Sequence, residues 1–174
     1  YDVSGRLTSE TAAPGTLQMA RRRYAYHFSA GAKMAHLVTT DAQGTVLFTY
    51  FDGMGRQLSA AQSLDGIADN DRLLGSWAYD ALGRLVKQTR LDYLGDGPRT
   101  LKTSHAYNIW GNPWTVTQPD GRVLIDEYDP LLNRRVTGVQ GDAQLETWFN
   151  EHNQPARVER VSVGGARIVV ETYL

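Results

Sequence analysis

One phrase recurs along this chain and restricts it more than its composition does. The phrase opens on an aromatic residue, continues with Asp, two variable residues and Gly, and in its fullest form ends Arg-Leu. The fullest copies are Tyr1-Asp2-Val3-Ser4-Gly5-Arg6-Leu7 and Tyr79-Asp80-Ala81-Leu82-Gly83-Arg84-Leu85. Looser copies begin at Phe51, Tyr107, Tyr128 and Phe149. The six anchor aromatics are separated by 50, 28, 28, 21 and 21 residues, and Tyr173 would follow 24 later. The gap of 50 has room for a degenerate copy, and TTDAQGTVL (39–47) fits one in which Thr40 replaces the aromatic. A phrase returning every twenty-odd residues is the mark of a repeat architecture, in which each unit buries its surface against the next.

The phrase has the chemistry of a turn. Four positions after the anchor stands Gly5, Gly44 (counted from Thr40), Gly55, Gly83 or Gly111. Glycine enters positive φ without a Cβ clash, as hairpin turns require. The last copy has Asn153 there, and the Tyr128 copy has Asn133 one residue late, after an extra residue. Asn is the usual second choice for a left-handed residue. The Asp after the anchor (Asp2, Asp52, Asp80, Asp129, with Asn108 and Asn150 as variants) can accept turn N–H bonds. Each phrase is therefore predicted to be strand end, turn and strand start.

The intervening segments fit strands. GTVLFTYF (44–51), WTVTQ (114–118), RVLIDEY (122–128) and ARIVVETYL (166–174) are rich in β-branched and aromatic residues, and RVERVSV (157–163) alternates with a period of two. Further turns fall at QPDG (118–121), GDGP (95–98) and SVGG (162–165). The stretch from 16 to 37 is predicted as strand, because its Tyr-Ala-Tyr-His-Phe run alternates. Residues 64–75, rich in Asp, are predicted to be an insertion loop. The expectation is an all-β chain of antiparallel hairpins, one repeat segment over 1–174. It opens on one copy of the phrase and closes on the lead-in to another, so it is expected to be part of a longer polypeptide.

Composition removes several classes of function. Eighteen Lys and Arg against nineteen Asp and Glu leave a net charge of −1, without the uncompensated basic surface that nucleic-acid or anionic-membrane binding needs. With no cysteine there is neither a disulfide framework nor a thiolate zinc site. No apolar run approaches the length of a membrane-spanning helix.

The aromatic-Asp-x-x-Gly-Arg-Leu phrase at these spacings resembles the YD repeat of the Rhs family. That family includes bacterial Rhs polymorphic toxins, the B and C components of insecticidal toxin complexes, and the teneurins. QPDGRVLIDEYDPLLNRR (118–135) is similar to the family's PDG-to-YD linkage. TYFDGMGRQLSAAQ and the Asp-rich insertion look most like the toxin-complex B component. The resemblance covers nearly the whole chain, least clearly residues 8–38. It implies a long β-sheet spiralling into a hollow shell around a toxic polypeptide, in a secreted bacterial virulence factor. The implied partners are the rest of the shell and the enclosed toxin, with no nucleic acid and no membrane insertion. The anchors would stack as an aromatic ladder, at about 0.2–1 kcal/mol per cross-strand pair.

Sites for other chemistry are sparse. His27, His36, His105 and His152 lack metal-ligand spacing, and Asp65, Asp69, Asn70 and Asp71 lack the order of a calcium loop. Arg21-Arg22-Arg23 is too short for a nucleic-acid footprint. Trp77, Trp110, Trp114 and Trp148 sit beside anchors or at a strand start, where packing is the expected role. Rhs shells in toxins often end in a self-cleaving aspartyl centre, but Asp129-Pro130 is followed by Leu131 and Leu132, where that motif wants Gly. The expectation is a non-enzymatic chain without cofactor or metal. Two alternatives remain: a YD-repeat module binding carbohydrate or a cell surface through exposed aromatics, and a β-propeller built of 42-residue blades.

Overall fold

The structure is a computed structural model that describes residues 1–15, 19–28, 34–63, 71–95 and 97–173. The described residues form fourteen strands: β1 (Ser9–Ala12), β2 (Ala20–His27), β3 (Ala35–Thr40), β4 (Val46–Phe51), β5 (Gln57–Ser63), β6 (Asp71–Tyr79), β7 (Leu85–Asp92), β8 (Arg99–Tyr107), β9 (Pro113–Thr117), β10 (Val123–Asp129), β11 (Arg134–Val139), β12 (Gln144–Phe149), β13 (Pro155–Val161) and β14 (Arg167–Thr172). The strand order is the chain order. This is the expected all-β hairpin fold.

Two compact units divide the chain, one of Tyr1–Ala78 with Gln88–Leu101, the other of Tyr79–Lys87 with Lys102–Leu174. In the first unit β1 to β6 pair antiparallel in sequence, each with the next. In the second, β8 to β14 do the same. Seven consecutively paired strands exceed the four of a propeller blade, so the blade alternative does not describe this sheet.

Of the segment 16–37, Ala20–His27 forms β2 and Ala35–Leu37 begins β3; Met19, Phe28 and Met34 lie outside the strands, and 16–18 and 29–33 lie outside the described residues. The insertion predicted over 64–75 differs. Residues 64–70 lie outside the described residues, and Asp71–Gly75 belong to β6, paired with β5 through Ser63↔Asp71 and Ala61↔Leu73. The Asp-rich composition suggested a loop, but the ladder carries the Arg72-Leu73-Leu74 run that follows.

Neither face of these strands is deeply covered. Among the described residues the buried apolar side chains are Phe48, Ala60, Ala61 and Val136, and none is below 2% exposed. Hydrophobic burial is the usual main source of stability. Here little apolar surface is buried, and the turns and the contacts between repeats are held by polar bonds.

Candidate functional site

The turn geometry is built from the phrase residue by residue. In the Tyr79 copy, Asp80 N donates to Arg84 O (2.9 Å) and Gly83 N to Asp80 O (2.9 Å). That closes a type I turn followed by a left-handed residue, the commonest three-residue hairpin loop. Gly83 supplies the left-handed position at φ 83°. The Asp80 carboxylate caps the loop: Oδ1 accepts from Leu82 N (3.0 Å) and Arg84 N (2.9 Å), and Oδ2 accepts from Arg84 Nε (2.7 Å). The Tyr1 and Phe51 copies repeat every one of these bonds through Asp2, Gly5 and Arg6 and through Asp52, Gly55 and Arg56. Asn108 and Asn150 keep the Oδ1 bonds, with Gly111 at φ 84° and Asn153 at φ 58°.

The Tyr128 copy solves the same problem differently. At three other anchors the ladder shifts by one residue, between Tyr50/Phe51, Ala106/Tyr107 and Trp148/Phe149. Here Tyr128 and Asp129 pair in unbroken register with Arg135 and Arg134, and the extra residue lies in the turn. Asn133, at φ 46°, has a further task. Its Oδ1 accepts from the Tyr128 hydroxyl (2.7 Å), and its Nδ2 donates to Phe149 O (3.1 Å) and Asn150 O (3.0 Å). It thereby ties one anchor to the next.

Gly44 turns as expected, at φ 83°, with Asp41 Oδ1 accepting from Gln43 N (2.9 Å) and Thr45 N (2.8 Å). It does not stand in the anchor series, however. In a meander successive turns alternate ends. The Tyr1 phrase precedes β1 and the Phe51 turn follows β4, whereas the Asp41 turn follows β3. The missing anchor is Tyr26, near the end of β2 and midway between Tyr1 and Phe51.

Tyr26 also shows what the rest of the phrase does. Its hydroxyl donates to Leu7 O (3.0 Å), and the Arg6 guanidinium lies over its ring, 4.7 Å from the centroid. Tyr107 repeats this on Leu85 O (2.8 Å) and Arg84 (4.4 Å). Tyr93 repeats it on Leu73 O (2.6 Å) and Arg72 (3.6 Å). An Arg-Leu pair is thus gripped by a Tyr 19, 20 or 22 residues beyond the Leu. In the Tyr1 and Tyr79 copies the Asp orients the guanidinium edge-on, leaving its face free for the ring. Of the anchors expected to form an aromatic ladder, Tyr107 is covered by the Arg84 guanidinium instead, as Arg6 covers Tyr26 and Arg72 covers Tyr93. An aromatic pair persists at Tyr128 and Phe149, edge to face with centroids 6.3 Å apart. Tyr1 is 84% exposed ahead of the first turn, and Tyr79 ends β6.

The second unit holds a polar cluster that the sequence did not suggest. Glu146 and Glu159 face each other across β12 and β13, at 7% and 3% exposure. Arg167 donates to both, Nη1 to Glu146 Oε2 (2.9 Å) and to Glu159 Oε2 (3.0 Å). Arg134 reaches Glu146 Oε2 (3.2 Å), and Arg157 pairs with Glu159 Oε1. Arg157 and Arg167 both lie over the Trp148 ring, at 5.7 and 5.9 Å. Trp77 packs against Gly75, so both of these indoles have the expected packing role. Trp110 and Trp114 do not; they are 54% and 44% exposed.

The turn aspartates are held below their ordinary carboxyl range. For Asp52 and Asp80 the main cause is the amide of Arg56 or Arg84; for Asp2 it is the Arg6 guanidinium. A carboxyl depressed by folding adds stability above its unfolded value, near 4, and that stability is lost as pH falls through the folded value. The Asp52→Asn/Asp80→Asn variant keeps the Oδ1 acceptor, as Asn108 and Asn150 do, but cannot titrate. It is expected to be less stable than the parent to urea at pH 7, with a smaller gap at pH 2. An equal gap at both pH values would show that the depressed carboxyls do not contribute to folding.

No family model and no curated protein matches this chain. Among solved structures, a chain of the TcdB2-TccC3 crystal structure aligns over 86% of this chain at 10% identity and a TM-score of 0.33. The aligned region is 11% of that chain, so this chain spans about a tenth of its length.

Proposed function

We propose that this chain is a stretch of YD-repeat wall: a structural segment of an Rhs-type shell that encloses a toxic polypeptide, most like the toxin-complex B component. The observation that carries the reading is the Arg-Leu/Tyr grip. In the Tyr1 and Tyr79 copies Asp and Gly make the turn, and Arg and the Leu carbonyl receive the following Tyr. Residues arranged in this way specify an extended sheet rather than a convergent pocket. The role is non-catalytic, and the partners are neighbouring wall and the enclosed chain. Secretion with the rest of a toxin follows from the resemblance in the repeats.

Small-angle scattering with in-line light scattering on the isolated chain tests the wall. A segment of wall has unpaired strand edges and little buried apolar surface, so an elongated or curved particle is expected, with mass rising with concentration. A compact monomer at all concentrations would overturn the reading.

A further inference from the structure

The repeats of this chain contain a place where the guanidinium is missing. In the Tyr1 and Tyr79 copies an arginine bridges the Asp carboxylate and an aromatic ring: Asp2–Arg6–Tyr26 and Asp80–Arg84–Tyr107. In the Tyr128 copy Arg134 stands opposite Asp129 in the ladder, but its guanidinium bonds Glu146 instead. Asp129 keeps its backbone bonds, Oδ1 accepting from Leu131 N (2.9 Å) and Leu132 N (3.2 Å), but no arginine caps it. Half-buried Glu127, two residues earlier, is in the same condition. Among the described residues no cation pairs with either carboxylate. Both line one groove of about 400 Å³ between the Tyr107 and Tyr128 turns, with Trp110, Trp114, Ile109 and Leu131. The turns flanking it are tied together by Asn108 Nδ2 donating to Tyr128 O (3.5 Å). No basic residue lines it.

We propose that this groove binds the guanidinium of an arginine carried by another polypeptide segment, one with apolar residues beside the arginine. Two carboxylates without a cation supply the charge, and a planar cation can bond them edge-on while its face lies on an indole. The same chain shows this combination satisfied internally: Trp148 with Glu146 and Glu159 holds Arg157 and Arg167. Ile109 and Leu131, 92% and 81% exposed at the turn tips, would cover the apolar neighbours of the incoming arginine. A sugar would also stack on indoles, but the unpaired charge favours a cation. The inference stands on the groove and does not depend on the wall reading.

The four tryptophans give a direct readout. The chain, labelled with ¹⁵N at tryptophan, is titrated with acetyl-Leu-Arg-Leu-amide, and the indole N–H resonances are assigned with Trp110→Phe and Trp114→Phe. Shifts are expected at Trp110 and Trp114 but not at Trp77 or Trp148. Affinity should fall about tenfold with Glu127→Gln, a change that removes charge and keeps shape. The citrulline peptide, neutral but of nearly the same shape, should bind at least about tenfold more weakly. Equal binding of the citrulline peptide, no shift at millimolar peptide, or a response confined to Trp148 would each overturn the proposal. So would a response to chitotriose in place of the peptide, which would make the groove a sugar platform.

Discussion

Glu159→Ala is expected to lower the unfolding free energy of the chain by about 2–4 kcal/mol, the range for breaking a buried ion pair whose partners keep some access to water. Glu159 is the most buried charged residue described, at 3% exposure, and it stands directly opposite Glu146. Two carboxylates in that position repel, and the arrangement holds because Arg134, Arg157 and Arg167 surround them. Removing Glu159 leaves Glu146 bonded to Arg134 and Arg167 and takes from Arg157 its partner. Arg157 and Arg167 keep 53% and 47% of their side-chain exposure, so water relieves part of the penalty. The comparison is Glu151→Ala, a glutamate 86% exposed beside His152, for which a change within about 0.5 kcal/mol is expected. Urea unfolding of the two variants and the parent, followed by circular dichroism, decides between them. If both variants lie on the parent curve, the cluster is a surface feature that does not hold β12 to β14 together.

The division between what the sequence revealed and what it did not follows the range of the interactions. The turns were legible because their determinants lie within five residues: Asp80 and Gly83 make a turn without help from elsewhere, and Asn153 obeys the same steric rule as Gly83. The strands were legible where β-branched residues cluster, as in β4 and β14. What was missed lies across strands. Tyr26 does not read as an anchor in the sequence, because His27 and Phe28 follow it in place of Asp; its role rests on contacts with Arg6 and Leu7, in the preceding repeat. Gly44 reads like a member of the anchor series because turn chemistry does not tell which end of the sheet a turn occupies. The Arg-Leu/Tyr grip had a signal, an Arg-Leu pair with Tyr 19–22 residues beyond the Leu, and it is visible in the sequence once known. Glu146 and Glu159 gave none. Their burial depends on register, which brings two glutamates thirteen positions apart face to face and gathers arginines from three strands around them. Trp110 and Trp114 likewise looked like packing residues, because proximity to an anchor in sequence does not give the side of the turn on which a ring lies.

Gly75→Val is the second large effect, and it tests the close approach that this all-β architecture permits in the first unit. A Cβ placed on Gly75 would stand 2.8 Å from the Thr89 carbonyl oxygen and 3.4 Å from the Trp77 ring. The nearer obstacle is backbone of β7, which cannot swing aside as a side chain can. Gly75 pairs with Ala60, and Ala60 and Ala61, at 8% and 6% exposure, are among the few buried apolar residues described. A shift at Gly75 is therefore passed to β5, at the point where the ladder already changes register between Ala60 and Ala61. The expected cost is about 3 kcal/mol for valine and about 1–2 kcal/mol for alanine, as for overpacking of a close-packed site. Gly53 is the control. It lies in the Phe51 turn, where a Cβ would meet nothing within 4 Å and φ is not left-handed, so Gly53→Ala is expected to be neutral or stabilising by up to about 1 kcal/mol through the unfolded chain. Thermal unfolding of the three variants then has a fixed order, with Gly75→Val lowest, Gly75→Ala next and Gly53→Ala at or above the parent. If Gly75→Val melts with the parent, β6 and β7 are farther apart than the structure has them, and the small residues of β5 and β6 have a reason other than close packing.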